Sequence, residues 1–375
     1  MVPGIAEDPR MSDITKRARA IPAGSMTRWA VSCLLAAGME AADAKLVARS
    51  LVQTSLWGID SHGVARLPHY LKRILAGSIE ARPQMTVRRT GPCTAQLDGG
   101  HGHGMVVCHR AMEEAIAMAR ENGLGAVGIG NSSHCGAIGL YGRQAASQGL
   151  IGLALTHSDA FVAPYRGRAK FIGTNPICLA IPTSDSTRPI CLDMATSAVS
   201  WNRVENARRE NQPLEEGWAL DKHGSPTTDP QAVACLLPLA AHKGYALAFL
   251  IDLFCGPLNA MPYGPHIPAM YGEPAQQRRL GSFMMALDPK RFAGGATLAA
   301  AAVEMAAEAR RQPPAHEGAE ILVPGDPEYR CEKARRRSGI PIEAEQWKEI
   351  CEWSQRLEVK PPAPDKNNRP KLMKL

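Results

Sequence analysis

The chain has 375 residues, 45% hydrophobic and 21% charged, enough to bury a sizeable core and to divide into two domains. Its net charge of +7 is modest, and basic residues cluster only at Arg330 to Arg337 and in the last fifteen residues, so a nucleic-acid surface is not the natural inference. No run approaches the ~18 apolar residues of a membrane helix, and Met1 to Pro9 lacks the basic and apolar regions of a signal peptide, so a soluble, cytoplasmic protein with no membrane partner is expected.

Residues 1 to 24 contain Pro3, Pro9, Pro22 and Gly24 with little apolar periodicity, and read as a loose arm. From Met26 to Trp57 helical periodicity occurs twice, broken at Gly38: Trp29, Cys33 and Leu34 fill the first stripe, and Leu46, Val47, Leu51, Val52 and Leu56 the second. Gly58 ends that helix just before Asp60-Ser61-His62-Gly63-Val64-Ala65-Arg66. A further helix carries His69, Tyr70, Leu71 and Ile74 to Gly77, and Thr86 to Asp98 reads as extended, closed by the turn Asp98-Gly99-Gly100. A helix around Val107 to Arg120 feeds a strand at Leu124 to Ile129, and a helix over 137 to 147 feeds a strand at Leu150 to Thr156. The alternation continues through Phe171 to Pro176, Pro189 to Asp193 and the long apolar helix Lys243 to Leu258, an α/β or α+β domain. Helix returns after about residue 328, with an amphipathic stretch at Ala344 to Leu357, and a disordered basic tail is expected from Lys360 onward.

The usual nucleotide signatures are absent. Gly128-Ile129-Gly130 has Ser133 where a Rossmann fingerprint needs its third glycine, and Gly100-His101-Gly102-His103-Gly104 also fails on spacing. No GxxxxGK[ST] loop, HExxH helix or GxSxG elbow occurs, which removes most support for a kinase or hydrolase. Ten cysteines are dispersed from Cys33 to Cys351 without a CxxC pair and read as small buried hydrophobes. His101 and His103 lack a nearby carboxylate or cysteine cluster, so no metal is expected.

Two histidine segments carry the chemistry. Asp60 and Ser61 are good N-cap types, which sets His62 at a helix start with its ring free to project. Arg66, four residues on, can hold a carboxylate by two hydrogen bonds while His62 addresses an oxygen one carbon away, as reduction of a 2-oxo acid requires. The bland reading is a cap with an incidental histidine and a solvated arginine. His134, in Asn131-Ser132-Ser133-His134-Cys135-Gly136, follows a strand at a polar turn, where it either works or merely satisfies the turn's backbone.

The segments Asp60 to Arg66, Asn131 to Gly136, Gly173 to Pro176, Leu192 to Ser197, Glu216 to Ala219, Pro226 to Pro230, His242 to Tyr245 and Val323 to Pro327 resemble, in order, the malate/L-lactate dehydrogenase family of the non-Rossmann type. That family also includes ureidoglycolate, sulfolactate and diketogulonate oxidoreductases and reductases of piperideine- and pyrroline-2-carboxylate. The resemblance runs from about residue 12 to 358 and implies an α+β fold: a helical domain from both chain ends (12–80 with 328–358) and a non-Rossmann α/β domain (81–327) that binds NAD or NADP. Residues 1–11 and 359–375 fall outside both domains and are expected to be disordered. A homodimer and a small carboxylate substrate are also implied.

By position, His62 looks like the proton donor, Ser61 its hydroxyl neighbour, Arg66 the carboxylate anchor with Asn131 beside the substrate, and His134 a second active-site histidine that could serve instead. Ser158, Asp193, Met194, Ala195, Lys243, Gly244, Gly325 and Asp326 look like dinucleotide contacts, and Asp193 could alternatively orient an imidazole. Glycine at 244 and 325 permits close backbone approach, and Lys243 at a helix start adds positive charge toward a pyrophosphate. Ordinary caps and turns would use the same residue types. Where the family tends to have glycines, this chain has Ala240-Ala241 before His242 and Ala246 after Tyr245, which would tighten the cofactor pocket. Trp201-Asn202-Arg203-Val204 replaces a smaller sequence and leaves the choice of NAD or NADP open. The expected reaction is hydride transfer between nicotinamide and C2 of a 2-hydroxy or 2-oxo carboxylate. A cyclic-imine reductase and a non-catalytic dinucleotide-binding protein of the same fold are the alternatives.

Overall fold

Helical periodicity and turn residues account for most elements of the computed structural model, which describes residues 19–363. In chain order these are β1 (Arg19–Ile21), α1 (Ala23–Ala36), α2 (Ala41–Leu56), α3 (Leu67–Leu75), β2 (Thr86–Gly91), β3 (Thr94–Asp98), α4 (Gly104–Asn122), β4 (Leu124–Ser132), α5 (Gly139–Ala146) and β5 (Ile151–Thr156). Then follow β6 (Ile177–Ile181), β7 (Ile190–Met194), α6 (Trp201–Glu210), β8 (Ala219–Leu220), β9 (Cys235–Leu236), α7 (His242–Cys255), β10 (Leu280–Leu287), α8 (Gly295–Arg310), α9 (Asp326–Ser338), β11 (Ile340–Ile342) and α10 (Ala344–Arg356). The expected disorder at 1–11 lies outside the described residues, as does the tail from 364 on; the expected disorder of 359–363 is wrong, since the Val359 N–H donates to the Ser354 carbonyl at 2.8 Å and Pro362 is buried. The expected loose arm is wrong from residue 19: Ile21 is fully buried and pairs with Ile340, which makes Arg19–Ile21 a strand, and α1 starts directly behind Pro22.

The described chain forms two compact units, one of residues up to 72 with those from 327 on, the other of residues 73–326. The first is built from both chain ends. Met26, Trp29, Leu34, Val47, Leu51 and Leu56 form its buried stripes, and the Trp29 indole donates to Ser354 Oγ at 2.9 Å. The antiparallel β1–β11 pair joins the same two ends.

The second unit is organised on a seven-stranded sheet in the order β2-β3-β4-β10-β5-β6-β7. Only β3 and β4 run parallel, whereas a Rossmann sheet is mostly parallel. One buried cluster sets Val107, Ala111, Met112 and Ala115 of α4 and Tyr141 of α5 with Leu97, Val127, Ile129, Ala154 and Met284 of the strands. Another sets Ile251 and Cys255 of α7 with Leu155 and partly buried Phe283. The glycines of β4 serve close packing rather than phosphate: a Cβ on Gly125 would lie 2.0 Å from the Ala115 carbonyl oxygen, and one on Gly128 2.1 Å from Asn259 Oδ1. All ten cysteines are free, and seven are buried. No helix among the described residues is long and apolar enough to cross a membrane.

Candidate active site

In the first unit, the Asp60–Arg66 segment folds as two single 3₁₀ turns, Asp60–His62 and Val64–Arg66, ahead of α3. The expected capping role of Asp60 and Ser61 does not occur. Neither caps a helix, because the Asp60 carboxylate is taken by Arg335, at 2.5 and 2.8 Å. Ser61 Oγ and His62 Nδ1 are 2.9 Å apart, which fixes the ring plane, and Arg66 Nε donates to the Ser61 carbonyl at 2.6 Å. The guanidinium expected to anchor the substrate carboxylate is therefore partly committed to bracing the histidine's own turn. The imidazole is half-buried, and burial, with the Arg66 charge beside it, pushes its pKa down to about 4. At neutral pH His62 is an uncharged base.

In the second unit, His134 lies on the loop between β4 and α5, with Nδ1 accepting its own turn's Gly136 N–H at 3.4 Å. Asn131, at φ +48°, spans the start of this loop: its Nδ2 donates to Asp98 Oδ2 at 3.0 Å, and its carbonyl accepts the His101 N–H at 2.8 Å. Ser133 Oγ accepts the Gly104 N–H at 2.8 Å and donates to the Gly102 carbonyl at 3.0 Å. His103, 1% exposed, caps α4 by accepting the Met105 N–H on Nδ1 at 3.2 Å, and burial pushes its pKa down to about 3. Among the described residues no group of three His, Cys, Asp or Glu is placed to hold a metal ion.

Most of the residues singled out for the dinucleotide are linked by hydrogen bonds to β7 and the segment that follows it. Asp193 Oδ2 accepts the Gly139 N–H at 2.8 Å, which ties the end of the His134 loop to the strand that carries Asp193 and Met194 and leads to Ala195. Thr196, two residues beyond that strand, donates Oγ1 to the carbonyls of Thr174 and Asn175, both at 3.0 Å. Buried Asn175 accepts the Ser158 N–H at 3.1 Å and donates to the Ala248 carbonyl of α7 at 3.0 Å. The Thr196 carbonyl accepts the Leu239 N–H at 2.9 Å, which brings in the turn before Lys243 and Gly244. At the start of β7, Cys191 N–H donates to the Pro324 carbonyl at 3.2 Å, which sets Gly325 beside that end of the strand. Asp326 is held by Arg310 at 2.7 and 2.9 Å and by the Val323 N–H at 3.0 Å, an anchoring position.

The turn into α7 is the tightest part of this constellation. A Cβ on Gly244 would meet the Leu239 carbonyl oxygen at 2.0 Å. Ala240 and Ala241 hold φ +47° and +55°, and Ala241, at ψ −119° with a Lys243 N–H to Ala240 carbonyl bond of 3.3 Å, occupies the first central position of a type II′ turn, where glycine is the rule. Ala246, the other residue expected to narrow the pocket, is exposed on α7.

The start of α7 has no side-chain cap, and His242 and Lys243 are exposed on it, with Tyr165 edge-on to His242 at 5.7 Å. The N–H groups of Lys243, Gly244 and Tyr245 are taken by the carbonyls of Ala240, Leu239 and Ala241, so what this end offers a pyrophosphate is the positive helix end and an exposed ammonium. The residues therefore fit a dinucleotide. Sequence reading missed the buried His157–Asp252 pair, 2.8 Å apart, in which His157 Nε2 accepts the Gly281 N–H at 2.9 Å and ties α7 to β10. Only its burial, invisible in the residue string, distinguishes His157 from the other histidines.

Comparison with known proteins agrees with this architecture. The malate/L-lactate dehydrogenase family model matches residues 21–351. A ureidoglycolate dehydrogenase (NAD(+)) of Escherichia coli O157:H7 is 39% identical over 259 residues, 69% of this chain and 74% of the relative. A malate dehydrogenase of Pyrococcus abyssi is 35% identical over 91% of this chain and 95% of its own length. A (2R)-3-sulfolactate dehydrogenase (NADP(+)) of Chromohalobacter salexigens is 35% identical over 71% of this chain and 80% of its own. Among solved structures, sulfolactate dehydrogenase from Methanocaldococcus jannaschii superposes with a TM-score of 0.85 at 31% identity, over 91% of this chain and 98% of that one. A Δ1-piperideine-2-carboxylate reductase from Pseudomonas syringae superposes at 0.80 and 25%, over 89% and 99%. With the family model spanning nearly all described residues, the chain belongs to the malate/L-lactate dehydrogenase family of NAD(P)-dependent oxidoreductases.

Proposed function

We propose that this protein interconverts a small 2-hydroxy carboxylate and its 2-oxo form, with His62 exchanging the proton and Arg66 orienting the carboxylate. The observation that carries the reading is the Asp60–Arg66 turn, where a hydroxyl fixes Nδ1 of a half-buried imidazole beside a guanidinium. Bound NAD or NADP supplies the hydride acceptor or donor. A neutral His62, its Nδ1 engaged by Ser61, takes the substrate hydroxyl proton at Nε2 during oxidation. In reduction the same nitrogen returns a proton, and an anionic substrate bound beside it raises the ring's pKa toward the value a donor needs. The linkage of Ser158, Asp193 to Ala195, Lys243, Gly244 and Gly325 along β7 supports the dinucleotide site, where Lys243 and the positive start of α7 would hold the phosphates. His134 is the second candidate for the proton, and Asn131 and Asp326 act by shaping their loops. A cyclic-imine substrate is the second reading, supported by the piperideine-2-carboxylate reductase neighbour.

The test is turnover of pyruvate, oxaloacetate and piperideine-2-carboxylate with NADH and with NADPH. His62→Ala is expected to lower kcat by at least a hundredfold and leave dinucleotide affinity within twofold. Arg66→Ala is expected to raise the substrate KM and, because Arg66 braces Ser61, also to lower kcat. Full activity of the His62 variant with loss in His134→Ala would move the proton to His134; NADH binding with no turnover of any compound would leave only a binding protein.

The homodimer is part of this proposal. On α7, Phe249, Leu250, Leu253 and Phe254 are 40–55% exposed, and Leu258 beyond it is 60% exposed, a contiguous apolar stripe that a second copy would cover.

A further inference from the structure

Arg335 lies on α9, and the chemistry proposed above gives it no task. Its guanidinium nevertheless holds both Asp60 oxygens, Nη1 to Oδ1 at 2.5 Å and Nη2 to Oδ2 at 2.8 Å, and Nη1 also donates to the Ser55 carbonyl at 2.5 Å. Asp60 opens the turn that carries Ser61 and His62. Ser55 ends the supporting helix on the other side, and its hydroxyl accepts the Val64 N–H at 3.0 Å. One side chain thus grips the histidine's turn where it begins and the residue that props it where it ends. Two donors on the two oxygens of one carboxylate fix orientation as well as distance, which a point charge cannot do. The Arg335 side chain is 16% exposed and that of Asp60 43%, so water reaches the pair mainly from the carboxylate side.

Packing leaves the turn little room to move. Gly58 sits at φ +84°, and a Cβ there would lie 2.8 Å from Cys331 Sγ of α9. A Cβ on Gly63 would lie 2.1 Å from Ser55 Oγ. Trp57 Nε1 donates to Glu332 Oε2 at 3.1 Å, one more tie between the end of α2 and α9.

We propose that Arg335 is a positioning residue for His62, acting through Asp60 and the turn and touching neither substrate nor cofactor. The proposal rests on the reading of His62 as the proton-exchanging group. Displacing a reacting group by about 1 Å can cost on the order of a hundredfold in rate, and the clamp, together with the packing around it, holds the turn in register.

The test compares Arg335→Ala and Arg335→Lys with Arg336→Ala, whose guanidinium bonds only Glu332 and Gln53 at the exposed side of α9. Three quantities are read: kcat on the active substrate of the panel, NADH affinity by fluorescence, and the His62 ring titration by NMR. Arg335→Ala is expected to lower kcat by about ten- to a hundredfold, to leave NADH affinity within twofold, and to move the His62 pKa up from about 4 toward 6.5 as the ring gains water. Arg335→Lys recovers part of the loss, and Arg336→Ala matches the parent protein in all three. A folded Arg335→Ala protein with unchanged kcat and unchanged His62 titration overturns the proposal, as does a parallel loss of kcat and NADH affinity with the titration unmoved. Should Arg335→Ala not fold, Asp60→Asn, which keeps the shape and removes the charge, is judged by the same three quantities. Normal turnover in His62→Ala overturns the catalytic reading and this proposal together. Loss in His62→Ala without loss in Arg335→Ala overturns this proposal alone.

Discussion

A histidine's task is decided by what its two nitrogens touch, and three here divide accordingly. His62 is held by Ser61 at Nδ1, His157 is saturated by Asp252 and the Gly281 N–H, and His103 spends Nδ1 on the Met105 N–H. The last is a pH sensor for stability. A cap of this kind needs an unprotonated nitrogen, and the folded pKa of about 3 lies well below the unfolded 6.5. The unfolded chain therefore binds the proton first, so the stabilisation is complete above pH 6.5 and is lost progressively as pH falls from there toward 3. Between pH 6.5 and 4.5 the loss from this group is about 2 kcal/mol. His103→Asn, which can still cap, is expected to match the parent in urea at pH 7 and to lose about 2 kcal/mol less at pH 4.5. Equal acid sensitivity in the two proteins would remove His103 from the account. At this scale the sequence showed which residue types were present but not their partners: Arg66 was legible as a cation, whereas its Nε bond to the Ser61 carbonyl depends on a pair of 3₁₀ turns that no spacing rule predicts.

Elements with strong periodicity and punctuation were readable, and those that take their character from neighbours were not. Gly38 and Gly58 bracket α2 as expected, and Leu150 to Thr156 is a strand within one residue of its reading. The central strand β10, Leu-Gly-Ser-Phe-Met-Met-Ala-Leu, has no clean alternation because helices cover both faces of the sheet there, so it went unread; α6 and the alanine-rich α8 did also. The turn into α7 shows an element whose geometry is imposed on it. Alanine in a type II′ position carries strain that glycine would not, of order 1 kcal/mol, and the surrounding bonds to Thr196 and Leu239 enforce it. Ala241→Gly is expected to raise the urea unfolding free energy by about 1 kcal/mol and to weaken NADH binding, because the start of α7 becomes less rigid. A fall in stability instead would show that the methyl is packed rather than strained.

For the whole molecule, the apolar stripe of α7 predicts association. Leu250→Glu, at a position 55% exposed, costs nothing in a monomer's core and is expected to convert a dimer to a monomer by light scattering; an unchanged mass would place the contact elsewhere. The family's eight ordered motifs made the layered architecture legible, whereas the hydrogen-bonded linkage of separate segments along β7 required the fold. The pairing of Arg19–Ile21 with Ile340–Ile342 has a consequence in time as well as in space. A ribosome releases β1, α1 and α2 first and their partners last, with roughly 250 residues of the other unit made in between. Joining chain ends that far apart costs about 5 kcal/mol of closure entropy when the intervening chain is loose, and much less once it has condensed into its own sheet. The unit that carries His62 is therefore the last to be completed during synthesis, whereas the seven-stranded sheet of the other unit is made in one uninterrupted stretch.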